Sequence, residues 1–402
     1  MPEASQKLRF PFRCLNFAAD RLAHKGVRIA GSDEKALLSA AQKKTGLLDF
    51  GDDSFREGLR ILLDSLRDDA VLHFVGSLVL RQTVVRFLVN RLLIENARKS
   101  PPRPPLIPPI VVTGMPRSGT TLLHRLLAQD PSHRALPLWE MLQPVPRKQP
   151  DRRLQKAQRE ILIKNLLLPG LDMIHYTRAD TPEECIVLLA CSFSSPLYWR
   201  LAPVYGYLSW FRRKEPLQPY REYESLLRLL QSRDPERRLV LKAPDHLGSL
   251  ETLKTVMPEA MIIQSHRDPG RCIGSICSLQ KTMYGLVTDH VDAKRLGETN
   301  LDFLEESVNR SLAFHEANPA EVFHISYERL RIEETKMARS IYEHFNLPWT
   351  RDNDVRFERY AFRHPQHEFG VHRYGLQDYG LDENKVQLRF RAYRARFGAY
   401  LS

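Results

Sequence analysis

The chain has 402 residues, 43% of them hydrophobic and 27% charged, with a formal charge of +12. This length and composition describe a folded protein of one large or two ordinary domains and exclude a disordered or collagen-like chain. The basic balance suits nucleic acid, an anionic membrane surface or a polyanionic small ligand.

The opening residues "MPEASQKLRFPFRC" carry no apolar signal-peptide core, and no run of about 18 apolar residues occurs anywhere, so no transmembrane segment is expected. Five cysteines form no C-x-x-C pair; a cytoplasmic protein with free thiols and no metal site is expected. Residues 1–100 read as a helical N-terminal extension. "SDEKALLSAAQKKTG" predicts a helix with Ser32 as N-cap, acids at Asp33 and Glu34, and Gly46 beyond its end. "SFREGLRILLDSLRD" repeats apolar residues at helical spacing from Ser54. The stretch from Ala70 to Ser100 predicts a long apolar helix, broken near Gly76 and interrupted by Arg81, Arg86 and Arg91. It reads as packed on the main domain, with a membrane-surface helix as the alternative.

"PPRPPLIPP" (101–109) is a stiff linker. From 110 to 402 the pattern changes to strands alternating with helices. "IVVT" (110–113), "RLVLK" (238–242), "AMIIQSHR" (260–267) and "EVFHIS" (321–326) read as strands. Helices follow at about 119–129, in "HLGSLETLKTVM", and in "PGRCIGSICSLQKTM", where Pro269 takes the first position. Such alternation implies an α/β fold with a central parallel sheet and right-handed crossovers.

"VVTGMPRSGTTLLHRLL" joins a strand to a helix through a Gly-rich turn. This arrangement aims backbone N–H groups at an anion. Gly114 and Gly119 keep the glycine spacing of a nucleotide-triphosphatase loop, but Thr120 stands where its Lys would be. Arg117 adds a planar cationic fork, and Ser118, Thr120 and Thr121 add hydroxyls. Without the Lys, and with no Walker-B strand, triphosphate hydrolysis is not expected. Farther on, "HRDPGRCIGS" places Arg267 at a strand end and Ser275 in the second turn of the next helix, a second anion-binding geometry.

"PRSGTT" resembles the 5′-phosphosulfate loop of the sulfotransferases that use 3′-phosphoadenosine-5′-phosphosulfate (PAPS), in particular the bacterial and tyrosylprotein-related branches. The resemblance covers roughly residues 107–380. It implies a P-loop-type three-layer fold and metal-independent, in-line sulfuryl transfer to a hydroxyl or amine, with the 3′,5′-bisphosphate as product. It implies that Gly114, Arg117, Ser118, Gly119, Thr120 and Thr121 hold the phosphosulfate and that Arg267 and Ser275 hold the 3′-phosphate. Tyr327, in "ISYERL", would lie at the adenine. In "HRYGLQDYGLD", His372, Arg373 and Tyr374 resemble a tail segment that closes over the cofactor. Lys242, at the end of "RLVLK", corresponds to the family's catalytic Lys, with Arg117 assisting.

For the base the resemblance ranks Glu140 first, matched with a two-residue insertion. His246 comes second, since the family's His position is Pro244 here. Glu183 or Glu184 comes third, although "DTPEE" also reads as a capping box with Pro182 in the first turn. The acceptor, whether small molecule, carbohydrate, lipid or phenol, is not readable. The N-terminal helices, the 141–235 insert and a 283–300 loop are expected to shape its pocket. Tyr198, Trp199, Tyr205, Tyr207, Trp210 and Phe211 read equally as lining or core. Arg389, Arg391, Arg394 and Arg396 read as a solvated helix with an apolar seam, or as a grip on an anion, RNA or a membrane face. Nucleic acid is not expected as a partner; peripheral membrane contact is compatible with the sequence. A P-loop kinase or NTPase, and a non-catalytic nucleotide-binding module on the same fold, are the rival readings.

Overall fold

The computed structural model describes residues 8–23, 33–99, 104–147, 150–168, 177–363 and 375–401. Ser32, His372, Arg373 and Tyr374 lie outside the described residues.

Four helices open the chain: α1 (Phe10–Ala23), α2 (Glu34–Thr45), α3 (Phe55–Asp68) and α4 (Phe74–Arg98). The N-cap of α2 is Asp33 rather than Ser32: its carboxylate accepts from the Ala36 N–H at 2.9 Å, and a charged acceptor caps the helix dipole well. Gly46 closes that helix in the left-handed conformation, as its position suggested. The α4 helix is not broken near Gly76. That glycine sits in the first turn, where a Cβ would lie 2.2 Å from the Val287 carbonyl oxygen, so close packing accounts for it. Arg91 is buried, donating to Glu222 at 2.7 and 2.9 Å and to the Phe50 carbonyl at 2.7 Å. The helix is therefore interior, not a membrane-surface element.

Five strands form one parallel sheet in the order β2-β3-β1-β4-β5. They are β1 (Ile110–Gly114), β2 (His133–Ala135), β3 (Arg238–Lys242), β4 (Met261–His266) and β5 (Val322–Ser326). The edge strand β2, three residues reading His-Arg-Ala, has no apolar run and gave no signal in the sequence. Sheet residues alternate between two cores, as the pleat requires. Ile110, Val112, Val240 and Ile263 pack with Leu123, Leu126 and Leu127 of α5 (Thr120–Leu127) and with Ile341 and Phe357. Val111, Leu239, Leu241 and Ile262 face the other way and share one cluster with Leu37, Leu59 and Leu88 of α2, α3 and α4. Residues 104–109 are tied down at two points: the Ile107 N–H donates to Gln231 of the helix Leu217–Gln231 at 3.1 Å, and the Met261 N–H of β4 donates to the Pro109 carbonyl at 2.9 Å.

Several expectations need correction. The predicted helix in "HLGSLETLKTVM" is a 3₁₀ segment, Pro244–Ser249, followed by a helix at Leu250–Val256. Most of 283–300 is not loop, because helices Pro269–Tyr284 and Ala293–Ala317 leave only a short connection. No capping box forms at 180–184. The next helix starts at Ile186, and Pro182 instead makes a bridge with Pro137. Tyr198, Trp199 and Tyr207 belong to the core, the Tyr207 hydroxyl donating to the Phe193 carbonyl at 2.9 Å. At the C-terminus, Phe390, Tyr393 and Phe397 form the apolar seam. Arg389 pairs with Glu305 and Asp302, Arg394 with Asp268, and Arg396 with His315.

Candidate active site

Each strand of a parallel sheet ends on the same edge, and ligands of open α/β folds bind outside that edge. Here the ends of β1, β3, β4 and β5 deliver the Gly-rich loop, Lys242, Arg267 and Tyr327, respectively. After β1 the chain turns through Gly114 (φ 139°), Arg117 (φ 69°) and Gly119 (φ 86°) into α5. The loop is locked by Ser118, whose hydroxyl donates to the Met115 carbonyl at 2.7 Å, and by Ser265, whose hydroxyl donates to the Ser118 carbonyl at 2.5 Å. The hydroxyl of Ser118 is thus spent inside the loop; Thr120 is buried at the start of α5 and Thr121 is exposed. The first-turn N–H groups of α5 have no intrahelical acceptor and face the strand edge with the positive end of the helix dipole.

The two predicted anion grips meet. Arg117 donates from Nε to the Ser275 hydroxyl at 3.1 Å, and Arg267 donates to the Arg117 carbonyl at 2.7 Å. The Arg267 guanidinium stacks 4.3 Å from the centre of the Tyr327 ring, a favourable cation–π distance. That ring in turn covers Gly119, where a Cβ would come within 2.4 Å of it. Arg267 Nε is buried without a hydrogen-bond partner among the described residues. A desolvated donor of this kind costs free energy unless a ligand satisfies it. Three cationic or hydroxyl donors, an aromatic face and a helix N-terminus fit a nucleotide carrying phosphate at both ends.

Beside this cradle, Lys242 is 1% exposed. Its Nζ donates to Glu184 at 2.9 Å and lies 3.9 Å from Glu183. The segment carrying these acids is pinned to the strand end by the Cys185 N–H, which donates to the Lys242 carbonyl at 2.9 Å. A buried ion pair, Arg200 with Asp245 at 2.8 Å, adjoins them, and burial raises the Asp245 pKa.

The other two bases ranked from sequence are not brought to Lys242. Glu140 is buried in a different cluster, bidentate to Arg134 at 2.8 and 2.9 Å and 3.4 Å from Arg233. Both of its oxygens are held by guanidinium groups, as befits a structural ion pair. His246 is fully buried, its Nδ1 2.7 Å from the Tyr220 hydroxyl and its Nε2 3.2 Å from Cys185 Sγ, so neither nitrogen is free for an acceptor.

Burial lowers the His246 pKa to about 4 and that of His124, which also feels Lys242, to about 3. A histidine depressed in this way is protonated in the unfolded chain before the folded one. Its stability contribution is therefore whole above pH 6.5 and is lost as pH falls toward 4. Each of the two should cost about 1.4 kcal/mol per pH unit across that window. Urea midpoints at pH 7 and pH 5 measure this; a midpoint that does not fall would contradict the buried neutral state.

A family model described as the sulfotransferase family matches residues 108–351. The omega-hydroxy-beta-dihydromenaquinone-9 sulfotransferases Stf3 of Mycobacterium bovis and Mycobacterium tuberculosis are 25% identical over 250 residues, 60% of this chain and 63% of theirs. The match thus spans less than two thirds of those relatives. The crystal structure of sulfotransferase STF1 from M. tuberculosis H37Rv superposes with a TM-score of 0.80 at 30% identity, over 91% of this chain and 100% of that one. STF9 from Mycobacterium avium gives 0.81 at 28% identity, over 92% and 98%. With the family model covering more than half of its length, the chain belongs to the sulfotransferase family.

Proposed function

We propose that this protein transfers a sulfuryl group from PAPS to a hydroxyl of a lipid-like or other small-molecule acceptor. The observation that carries this reading is the meeting of Arg117, Arg267, Ser275 and Tyr327 at the sheet edge beside the Lys242–Glu184 pair. Gly114, Gly119 and the first turn of α5, with Arg117, Thr120 and Thr121, would receive the 5′-phosphosulfate. Arg267 and Ser275 would receive the 3′-phosphate, and Tyr327 the adenine side. Arg373 enters by family resemblance.

In the reaction the sulfur–oxygen bond to phosphate breaks as a bond to the acceptor oxygen forms, and the bisphosphate departs. Lys242 stabilises charge on the bridging oxygen, with Arg117 on the phosphosulfate. Glu184 takes the acceptor proton, with Glu183 as its reserve; both stand ahead of Glu140 and His246 because they alone of the four contact Lys242. Positive charge from Lys242, Arg117 and the helix terminus supplies what a metal otherwise would. The hydroxyl acceptor follows the Stf3 relatives, whose name specifies an omega-hydroxy dihydromenaquinone. We place the reaction in the cytoplasm, where the free thiols stay reduced. The transferase unit is 110–402, with the N-terminal helices and residues 104–109 laid on its core.

Calorimetric titration with the 3′,5′-bisphosphate, with ATP and Mg²⁺ in parallel, tests the donor. The bisphosphate should bind, and Arg267→Ala should weaken it by about 1.5–3 kcal/mol, the range for charge-assisted hydrogen bonds. Binding of ATP with Mg²⁺ and not the bisphosphate would promote the kinase-like rival. Bisphosphate binding without transfer to any hydroxylated quinone, phenol or sugar would favour the non-catalytic module.

A further inference from the structure

Large apolar side chains are exposed on two helices outside the site. On α1 they are Phe10, 74% exposed, and Phe17, 60% exposed, two turns apart on one face. On α6 (Arg153–Leu167) they are Leu162, Ile163 and Leu166, which share one helical stripe. The two helices are joined where the Arg9 N–H donates to the Leu167 carbonyl at 3.2 Å, next in sequence to Phe10 and Leu166. Large apolar groups exposed on two joined helices mark an interaction site, unlike scattered single residues.

The charge around it is mainly positive. The two helices carry Arg13, Arg21, Lys156, Arg159 and Lys164 against Asp20 and Glu160, while Arg153 is buried and paired with Asp151 at 2.7 Å. Glu160 is already paired with Arg86 at 2.6 Å, and the Asp20 side chain lies outside the described residues. Arg21 lies over the Phe17 ring at 4.5 Å, holding a cation at the level of the apolar face. Aromatic and aliphatic groups rimmed by arginine and lysine match the boundary between acyl chains and acidic headgroups. No described helix is long and apolar enough to cross a membrane, so the contact would be peripheral.

We propose that the α1–α6 face docks on an anionic phospholipid surface. Flotation of the full-length protein with phosphatidylcholine vesicles, with and without phosphatidylglycerol, tests this. The protein should float with the acidic vesicles, be released by high salt, and stay behind with neutral ones. Phe10→Ser/Phe17→Ser and Leu162→Ser/Ile163→Ser should each weaken that binding roughly tenfold or more, with bisphosphate affinity unchanged as a check on folding. Three results would overturn the proposal: no binding to acidic vesicles; binding that the variants leave intact; or a self-associated protein that the variants convert to monomer, which would make the face an interface between copies.

Discussion

Replacing Lys242 with Ala is expected to lower turnover by about 10²–10³-fold, the loss seen when one preorganised donor to a developing oxyanion is removed. Affinity for the bisphosphate should change little, since the grip proposed for the 3′-phosphate, Arg267 and Ser275, lies on other elements. The residue is almost fully buried and its charge is answered by Glu184 at 2.9 Å. Removing it therefore also leaves that carboxylate without its cation, and some stability goes with it. Lys242→Met, which restores the packing of the stem but not the charge opposite Glu184, should keep kcat equally low while the urea midpoint regains only the share lost to packing. Single-turnover transfer rates together with bisphosphate titrations decide the matter, and an undiminished rate in both variants would remove Lys242 from the chemistry.

The second large effect concerns the base. Glu184→Gln keeps an oxygen for Lys242 Nζ but cannot take a proton, and should lower kcat by about 10²–10⁴-fold, the usual worth of a positioned general base. The same change at Glu140 should leave kcat alone and cost about 1–3 kcal/mol of stability, because it weakens a buried carboxylate held by Arg134 and Arg233. Paired measurements of kcat and unfolding midpoint on the two variants reverse their pattern if the ranking expected from sequence is the right one. In that case Glu140 would carry the kinetic defect and Glu184 the stability defect.

Much of this protein was legible locally. A glycine-bounded loop between a four-residue apolar strand and a helix implies an anion site, because free N–H groups and positive φ angles are written into neighbouring residues. Arg267 with Ser275 is legible for the same reason, since a strand end and the second turn of the following helix lie close together whatever the rest of the fold does. Four of the five strands announced themselves as short apolar runs; β2 did not, because its pairing with β3 compensates for a polar triplet.

The sequence by itself thus determined the class of fold, the Gly-rich strand-to-helix turn, the Arg267–Ser275 pairing of strand end and helix, and the lysine at the strand end, all of which depend on residues near one another in the chain. Only the tertiary structure decided which carboxylate stands beside that lysine. Glu184 and Lys242 are 58 residues apart and are joined by the docking of an irregular segment on the end of β3. Proton transfer and ion pairing act over a few ångströms, and a distance of that kind between remote segments follows from packing, which periodicity and spacing do not encode.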